Sequence, residues 1–262
     1  MATHTHKGFT IIEVVLFVTI SGAMMVMLAT GWTSMLNTQR YRDSVSTLQS
    51  FIQQQYNLVY NVQNARQDNA LDCRESASGP NVTAPGAGVG SFRGTDECVF
   101  LGRYVYIRDG QNIQSSIVLG SEPTGELDPS LSESQVIAAY QPTIVADVEG
   151  TNASESELFI PWGATVFDQT SVTKSPRKIG IAILRSPQTG IAHTYIKDTT
   201  TPASSTDLTS LLSDPEVIKE AEHTICLDAG VPLAGGKMAV VFRKNAASQS
   251  SIESIEDSAC DA

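Results

Sequence analysis

Hydrophobic and polar positions divide the chain into three stretches of different period. From Phe9 to Trp32 the residues are apolar with almost no interruption, and Glu13 is the only charge. A helix of these 24 residues reaches about 36 Å at about 1.5 Å per residue, enough to cross a hydrocarbon layer of about 30 Å. From Thr33 to about Gln63 the chain turns polar, yet Tyr41, Val45, Leu48, Ile52, Tyr56, Val59 and Val62 recur at spacings of three and four. That spacing is one face of an α-helix, and no proline or glycine interrupts it after Gly31. The two stretches therefore predict one helix from Phe9 to about Gln63, about 80 Å long, with Gly22 and Gly31 as candidate weak hinges.

Beyond residue 64 the period shortens. Val99 to Ile107 and Ile113 to Leu119 flank Arg108-Asp109-Gly110, a hairpin turn signal. Leu158 to Pro161, Thr165 to Phe167, Lys178 to Leu184, Ile191 to Ile196, His223 to Leu227 and Met238 to Phe242 read as further strands. Ser132 to Ala139 and Asp207 to Ala221 read as short helices, and the Gly- and Pro-rich stretch from Asp68 to Gly94 as a long loop. The fold class is α+β: a long N-terminal helix, membrane-spanning in its first half, packed under a C-terminal antiparallel β-rich head.

Composition sharpens this picture. The 262 residues carry 17 basic and 28 acidic side chains, a formal charge of −11, which opposes binding dominated by phosphates. A secretory signal peptide would have a shorter apolar run ending in small residues, whereas here Gly22-Ala23 is followed by more Met, Val and Leu. The leader before the run, Met1 to Gly8, has Lys7 as its sole basic residue, which predicts a cytoplasmic N-terminus and a head outside.

The string Lys7-Gly8-Phe9-Thr10-Ile11-Ile12-Glu13, followed by about twenty apolar residues, resembles the prepilin cleavage and methylation motif of type IV pilins and type II secretion pseudopilins. The resemblance is close from Lys7 to about Ala29, looser along the following helix, and absent beyond about residue 64. It implies a leader, 1–8, removed between Gly8 and Phe9, and methylation of the new amine on Phe9. It implies a pilin helix, 9–63, whose span of about 9–32 is kept as an anchor while about 33–63 is amphipathic, and an extracytoplasmic head, 64–262. Implied partners are other pilin subunits, the prepilin peptidase, an assembly platform and ATPase, and the inner membrane. Many pilins carry a proline in the apolar half, and this chain has none there.

Glu13 points the same way on physical grounds. A carboxylate inside an apolar span costs several kcal/mol unless it finds a partner, and the Phe9 ammonium of a neighbouring subunit would supply one. A position in the first helical turn, where the macrodipole favours an anion, is the alternative account. The expected function is that of a structural filament subunit, a minor pilin given a head of about 200 residues. The alternatives are a secretion pseudopilin, or a single-span membrane protein with an extracellular binding head that never polymerises.

Cys73, Cys98, Cys226 and Cys260 have no Cys-x-x-Cys spacing, so a metal site is not indicated. Export would oxidise them, and of three connectivities the favoured one joins Cys73 to Cys98 and Cys226 to Cys260. No Walker sequence, Gly-x-Ser-x-Gly elbow or His-Glu-x-x-His appears, and His193 and His223 lack neighbouring ligands. No catalytic residue and no cofactor is assigned. Glu149, Glu155 and Glu157, or Asp257 and Asp261, lack EF-hand spacing and read as solvated surface. Asn81-Val82-Thr83 and Asn152-Ala153-Ser154 match glycosylation sequons, a pattern short enough to arise by chance. Lys174, Arg177, Lys178 and Arg185, with Lys237, Arg243 and Lys244, form the one basic cluster that would suit DNA, although strand-flanking cations more often protect sheet edges.

Overall fold

The computed structural model describes residues 10–61, 72–76, 79–83, 97–145, 156–168, 175–198, 208, 212, 221–231, 236–256 and 260. A single helix, α1 (Ile11–Tyr60), comes first. The strands follow as β1 (Asp72–Arg74), β2 (Asn81–Thr83), β3 (Val99–Ile107) and β4 (Asn112–Gly120). After helix α2 (Glu133–Ala139) come β5 (Thr143–Ile144), β6 (Ser156–Phe159), β7 (Thr165–Val166), β8 (Ile179–Arg185) and β9 (Ala192–Asp198). The chain closes with β10 (His223–Asp228), β11 (Met238–Phe242) and β12 (Ile252–Glu256). The layout is α+β, a long helix followed by antiparallel sheets.

α1 is unbroken at Gly22 and Gly31, so neither acts as a hinge in this structure. It starts two residues later than Phe9, because Thr10 is extended and caps it, and stops at Tyr60, with Asn61 as its C-cap. Val62, the last residue of the expected stripe, lies outside the described residues, as does nearly all of the expected helix from Asp207 to Ala221.

Six strands form one sheet in the order β5-β4-β3-β8-β9, with β6 pairing the other end of β4 beside β5. A second sheet runs β12-β11-β10-β7, and β1 pairs β2 in a separate ribbon. The β3–β4 hairpin closes where the sequence signals it: Asp109 Oδ1 accepts the Gln111 and Asn112 amides at 3.1 and 2.8 Å, and Gly110 takes φ +79°. β3 is bulged between Phe100 and Gly102, and a Cβ on Gly102 would meet the Ile183 carbonyl oxygen at 2.1 Å, so only glycine fits there.

The core is the seam between the second half of α1 and both sheets. Tyr41, Val45, Leu48, Ile52, Tyr56 and Val59 are buried against Val105, Ile107, Ile179, Ile181 and Ile183 of the larger sheet, and against Ile225, Leu227, Val240 and Phe242 of the smaller one. Strand alternation sends Tyr104, Tyr106, Ala182, Leu184 and Tyr195 to the opposite face of the larger sheet, under Ile137 of α2. Both faces of β3 and β8 are therefore covered, which is why those strands read as nearly continuous apolar runs.

Polar contacts fix the register of α1 within this seam. The Tyr41 hydroxyl receives the Met238 amide at 2.7 Å and donates to the Leu227 carbonyl at 2.7 Å, stitching the helix to β10 and β11. Higher up, Gln55 Oε1 accepts the Ser115 hydroxyl at 2.7 Å, and Ser115 in turn receives Arg103 Nε at 3.0 Å. Arg103 is only 2 % exposed, and burial lowers its affinity for the proton.

Cys73 is bonded to Cys98, and Cys226 to Cys260, with Cα separations of 5.9 and 5.5 Å. The second bond lies against Phe167, Ala239 and Val241 on the outer face of the smaller sheet. Closing a loop over a sequence separation of 34 stabilises by about 3.7 kcal/mol in the chain-entropy account. A Cys226→Ser, Cys260→Ser double variant should lose about that much in a denaturant titration. Tyr41→Phe should cost about 1 to 3 kcal/mol in the same measurement, because it leaves a buried amide and carbonyl unpaired.

Candidate assembly site

The first half of α1 meets no other part of the described chain. Ile11, Ile12, Val14, Val15, Leu16, Phe17 and Val18 are all exposed, as are Met24 through Leu28, Trp32 and Met35. Consecutive exposed apolar residues cover every side of a helix, since each step turns by about 100°. A helix that is apolar all round demands an apolar surrounding, either lipid or the flanks of other helices. This is the one helix in the described residues long and apolar enough to cross a membrane, with a mean hydropathy of 2.4 over its best window.

Its threonine hydroxyls are satisfied internally. Thr19 Oγ1 donates to the Val15 and Leu16 carbonyls at 3.0 and 2.9 Å, Thr30 to Val26 and Met27, and Thr33 to Ala29 at 2.9 Å. No threonine hydroxyl in the run therefore asks for water.

Glu13 carries the only charge on α1 before Arg40. Its carboxylate accepts the Thr10 backbone amide at 3.0 Å and the Thr10 hydroxyl at 3.1 Å, while its own amide donates to Thr10 Oγ1 at 3.3 Å. The two residues form a reciprocal capping box. The sequence carries this signal as Thr-x-x-Glu at the start of an apolar run, so the capping box stands beside the Phe9 ammonium of a neighbouring subunit and the helix macrodipole as a third account of Glu13. Gly8 and Phe9, the expected cleavage and methylation residues, lie outside the described residues.

The structure occupies most of the basic cluster. Arg177 makes a two-pronged ion pair with Asp198, Nε to Oδ1 at 2.8 Å and Nη2 to Oδ2 at 2.9 Å, and a third bond to the Thr224 carbonyl. Arg185 donates to the Gly190 carbonyl at 3.1 Å, Lys237 faces Asp228 at 3.7 Å, and Arg243 bridges Glu222 and Glu253. Lys174 lies outside the described residues, as do Glu149, Glu155, Asp257, Asp261 and the sequon at Asn152. Glu157 accepts a bond from Gln114, and Asn81, of the other sequon, is exposed on β2. Among the described residues no three His, Cys, Asp or Glu side chains are grouped to hold a metal.

The two described histidines lie in different sheets, His193 on β9 and His223 on β10. His193 lines a cleft of about 230 Å³ between β9 and the Asn245–Ala247 turn. His223, buried at the start of β10, is held near pKa 4, first by desolvation and then by the Arg177 charge. Compared with protein-family models, curated proteins and solved structures, the chain finds no match.

The His223 shift fixes a pH dependence. Its folded pKa lies below the unfolded 6.5, so the unfolded chain binds the extra proton, and stability falls as pH drops from about 6.5 towards about 4. The loss is on the order of 2 to 3 kcal/mol. A His223→Gln variant should show a flatter dependence of Tm on pH across that window, measured by circular dichroism.

Proposed function

We propose that this chain is the precursor of a filament subunit of the type IV pilin or pseudopilin kind. The first half of α1 stores it in a membrane and later packs it among the same halves of its neighbours. The observation that carries the reading is the division of one continuous helix: the second half is built into the core of the head, while the first presents apolar side chains on every side with Glu13 as its single charge. The string from Lys7 to Glu13 supports it at the sequence level.

On this reading the apolar half crosses the membrane once, with the head outside, and the head's disulfides suit an oxidising compartment. A peptidase removes residues 1–8 and the amine of Phe9 is methylated. In the filament, neighbouring helices replace lipid, and the carboxylate of Glu13 pairs with the Phe9 ammonium of an adjacent subunit, which sets the axial register. No bond is made or broken by the subunit itself. Its role is structural.

The capping box favours a second reading: Thr10 already supplies Glu13 with partners, so Glu13 would also suit a single-span protein that never polymerises. Glutamine separates the two, because it serves the same position of a capping box without the charge. For the filament subunit, the N-terminal peptide from native cells should begin at Phe9 with one added methyl group, read by mass spectrometry. Glu13→Gln should leave the head's Tm unchanged and still cut filament recovery by more than about tenfold, since a buried ammonium left alone costs about 3 to 5 kcal/mol. An intact Met1 or Ala2 start, with Glu13→Gln behaving as wild type, would establish the single-span protein instead.

A further inference from the structure

The end of the head nearest the apolar half of α1 carries an unusual construction. Pro161, Trp162 and Gly163 form a tight 3-10 turn in which Trp162 adopts φ 61°, ψ 16°, a left-handed conformation that a bulky side chain seldom takes. Such strain persists only where the surroundings enforce it, and here α1 does so. Trp162 Nε1 donates to Asp43 Oδ2 at 2.8 Å, the Arg40 guanidinium lies 5.0 Å from the ring centroid, and the Ser44 hydroxyl donates to the Pro161 carbonyl at 2.8 Å. Three residues of one helical face thus pin the turn.

The pinned indole is not buried. It is 57 % exposed, and because its one polar atom is already engaged, the side chain offers carbon outward. Val231, 47 % exposed, lies beside it: both line a small hollow with Asn37, Arg40 and Ala229, and the Gly230 position comes within 3.9 Å of the Gly163 carbonyl. Strained backbone and three ordering contacts therefore go into presenting apolar surface to the outside.

The helix supplies the ruler that says what covers this surface. On α1 the apolar run extends from Ile11 to Trp32, 22 residues or about 33 Å, and Asn37, five residues or about 8 Å further on, lines the hollow with Trp162 and Val231. With α1 as a span, the foot of the head falls in the headgroup layer that borders the hydrocarbon. A run of this length spans a core of about 30 Å with room for some tilt, and interfacial anchors on one side set its direction. Tryptophan and arginine are the residues that settle at that depth, the ring among glycerol groups and the guanidinium among phosphates.

We propose that this foot, Trp162 and Val231 with Arg40 of α1, is a membrane-surface contact that seats the head in the interfacial zone of the bilayer and tilts the helix toward that face. The inference rests on the reading of α1 as a membrane span, not on filament assembly. The chain has two tryptophans, and each reports one level. The full chain would be reconstituted in phosphatidylethanolamine and phosphatidylglycerol vesicles containing a lipid spin-labelled near the glycerol. Trp162 would be read in a Trp32→Phe variant and Trp32 in a Trp162→Phe variant, with far-UV circular dichroism confirming the fold of each. Quenching of both by the spin-labelled lipid, with Trp162 emission blue-shifted relative to an aqueous tryptophan amide, is the expected result. Val231→Asp should then lower the Trp162 quenching alone. Quenching of Trp32 without Trp162 would overturn the foot and leave the span standing. Quenching of neither would overturn both, and a failed filament assay would touch neither outcome.

Discussion

The seam along the second half of α1 carries the head, because among the described residues it is the one helix packed on the inner face of either sheet. Six strands on one side and four on the other turn their alternate apolar residues toward Val45, Leu48, Ile52 and Tyr56, and without the helix two apolar sheet faces would stand in water. Burying side chains of this size stabilises by about 1.5 to 3 kcal/mol each, so the stripe contributes substantially to holding the sheets together. Tyr41 at one end and the Gln55–Ser115–Arg103 chain at the other fix where along the stripe the sheets sit, since sliding by a turn would strand buried donors and acceptors.

That seam also explains the two halves of α1. A helix already committed to a protein core over 41–59 cannot fold back to hide its own first half, which therefore has to find its apolar surroundings elsewhere. The threonine hydroxyls of the run bond to their own helix and ask nothing of that surrounding. Glu13 is the exception, held by Thr10 while the chain is alone and chemically suited to a stronger partner.

Much of this was legible because the patterns are local. The stripe on α1 is a spacing of three and four, β3, β8 and β11 are mostly apolar runs of aliphatic and aromatic residues, and Asp109-Gly110 is a turn with a mechanism. β12 was not legible: Ile-Glu-Ser-Ile-Glu has only two apolar residues, and it becomes a strand by completing the edge of β11. The partners of Arg177 were hidden for the same reason, since Asp198 lies 21 positions away and arrives through strand pairing. Trp162 gave no sign in sequence, because its meaning depends on which helical face the Pro-Trp-Gly turn lands against. The capping box, by contrast, could have been read directly.

The absence of any break in α1 has a mechanical side. With neither proline nor a bent glycine between Ile11 and Tyr60, the helix is a rod of about 75 Å, and the head is fastened to its far end by side chains that resist sliding. A pull or a twist on the head is therefore passed along a continuous hydrogen-bonded helix to the apolar end. The head becomes the handle of a stiff shaft, and a force applied to the exposed domain alone reaches the greasy end without anything touching it.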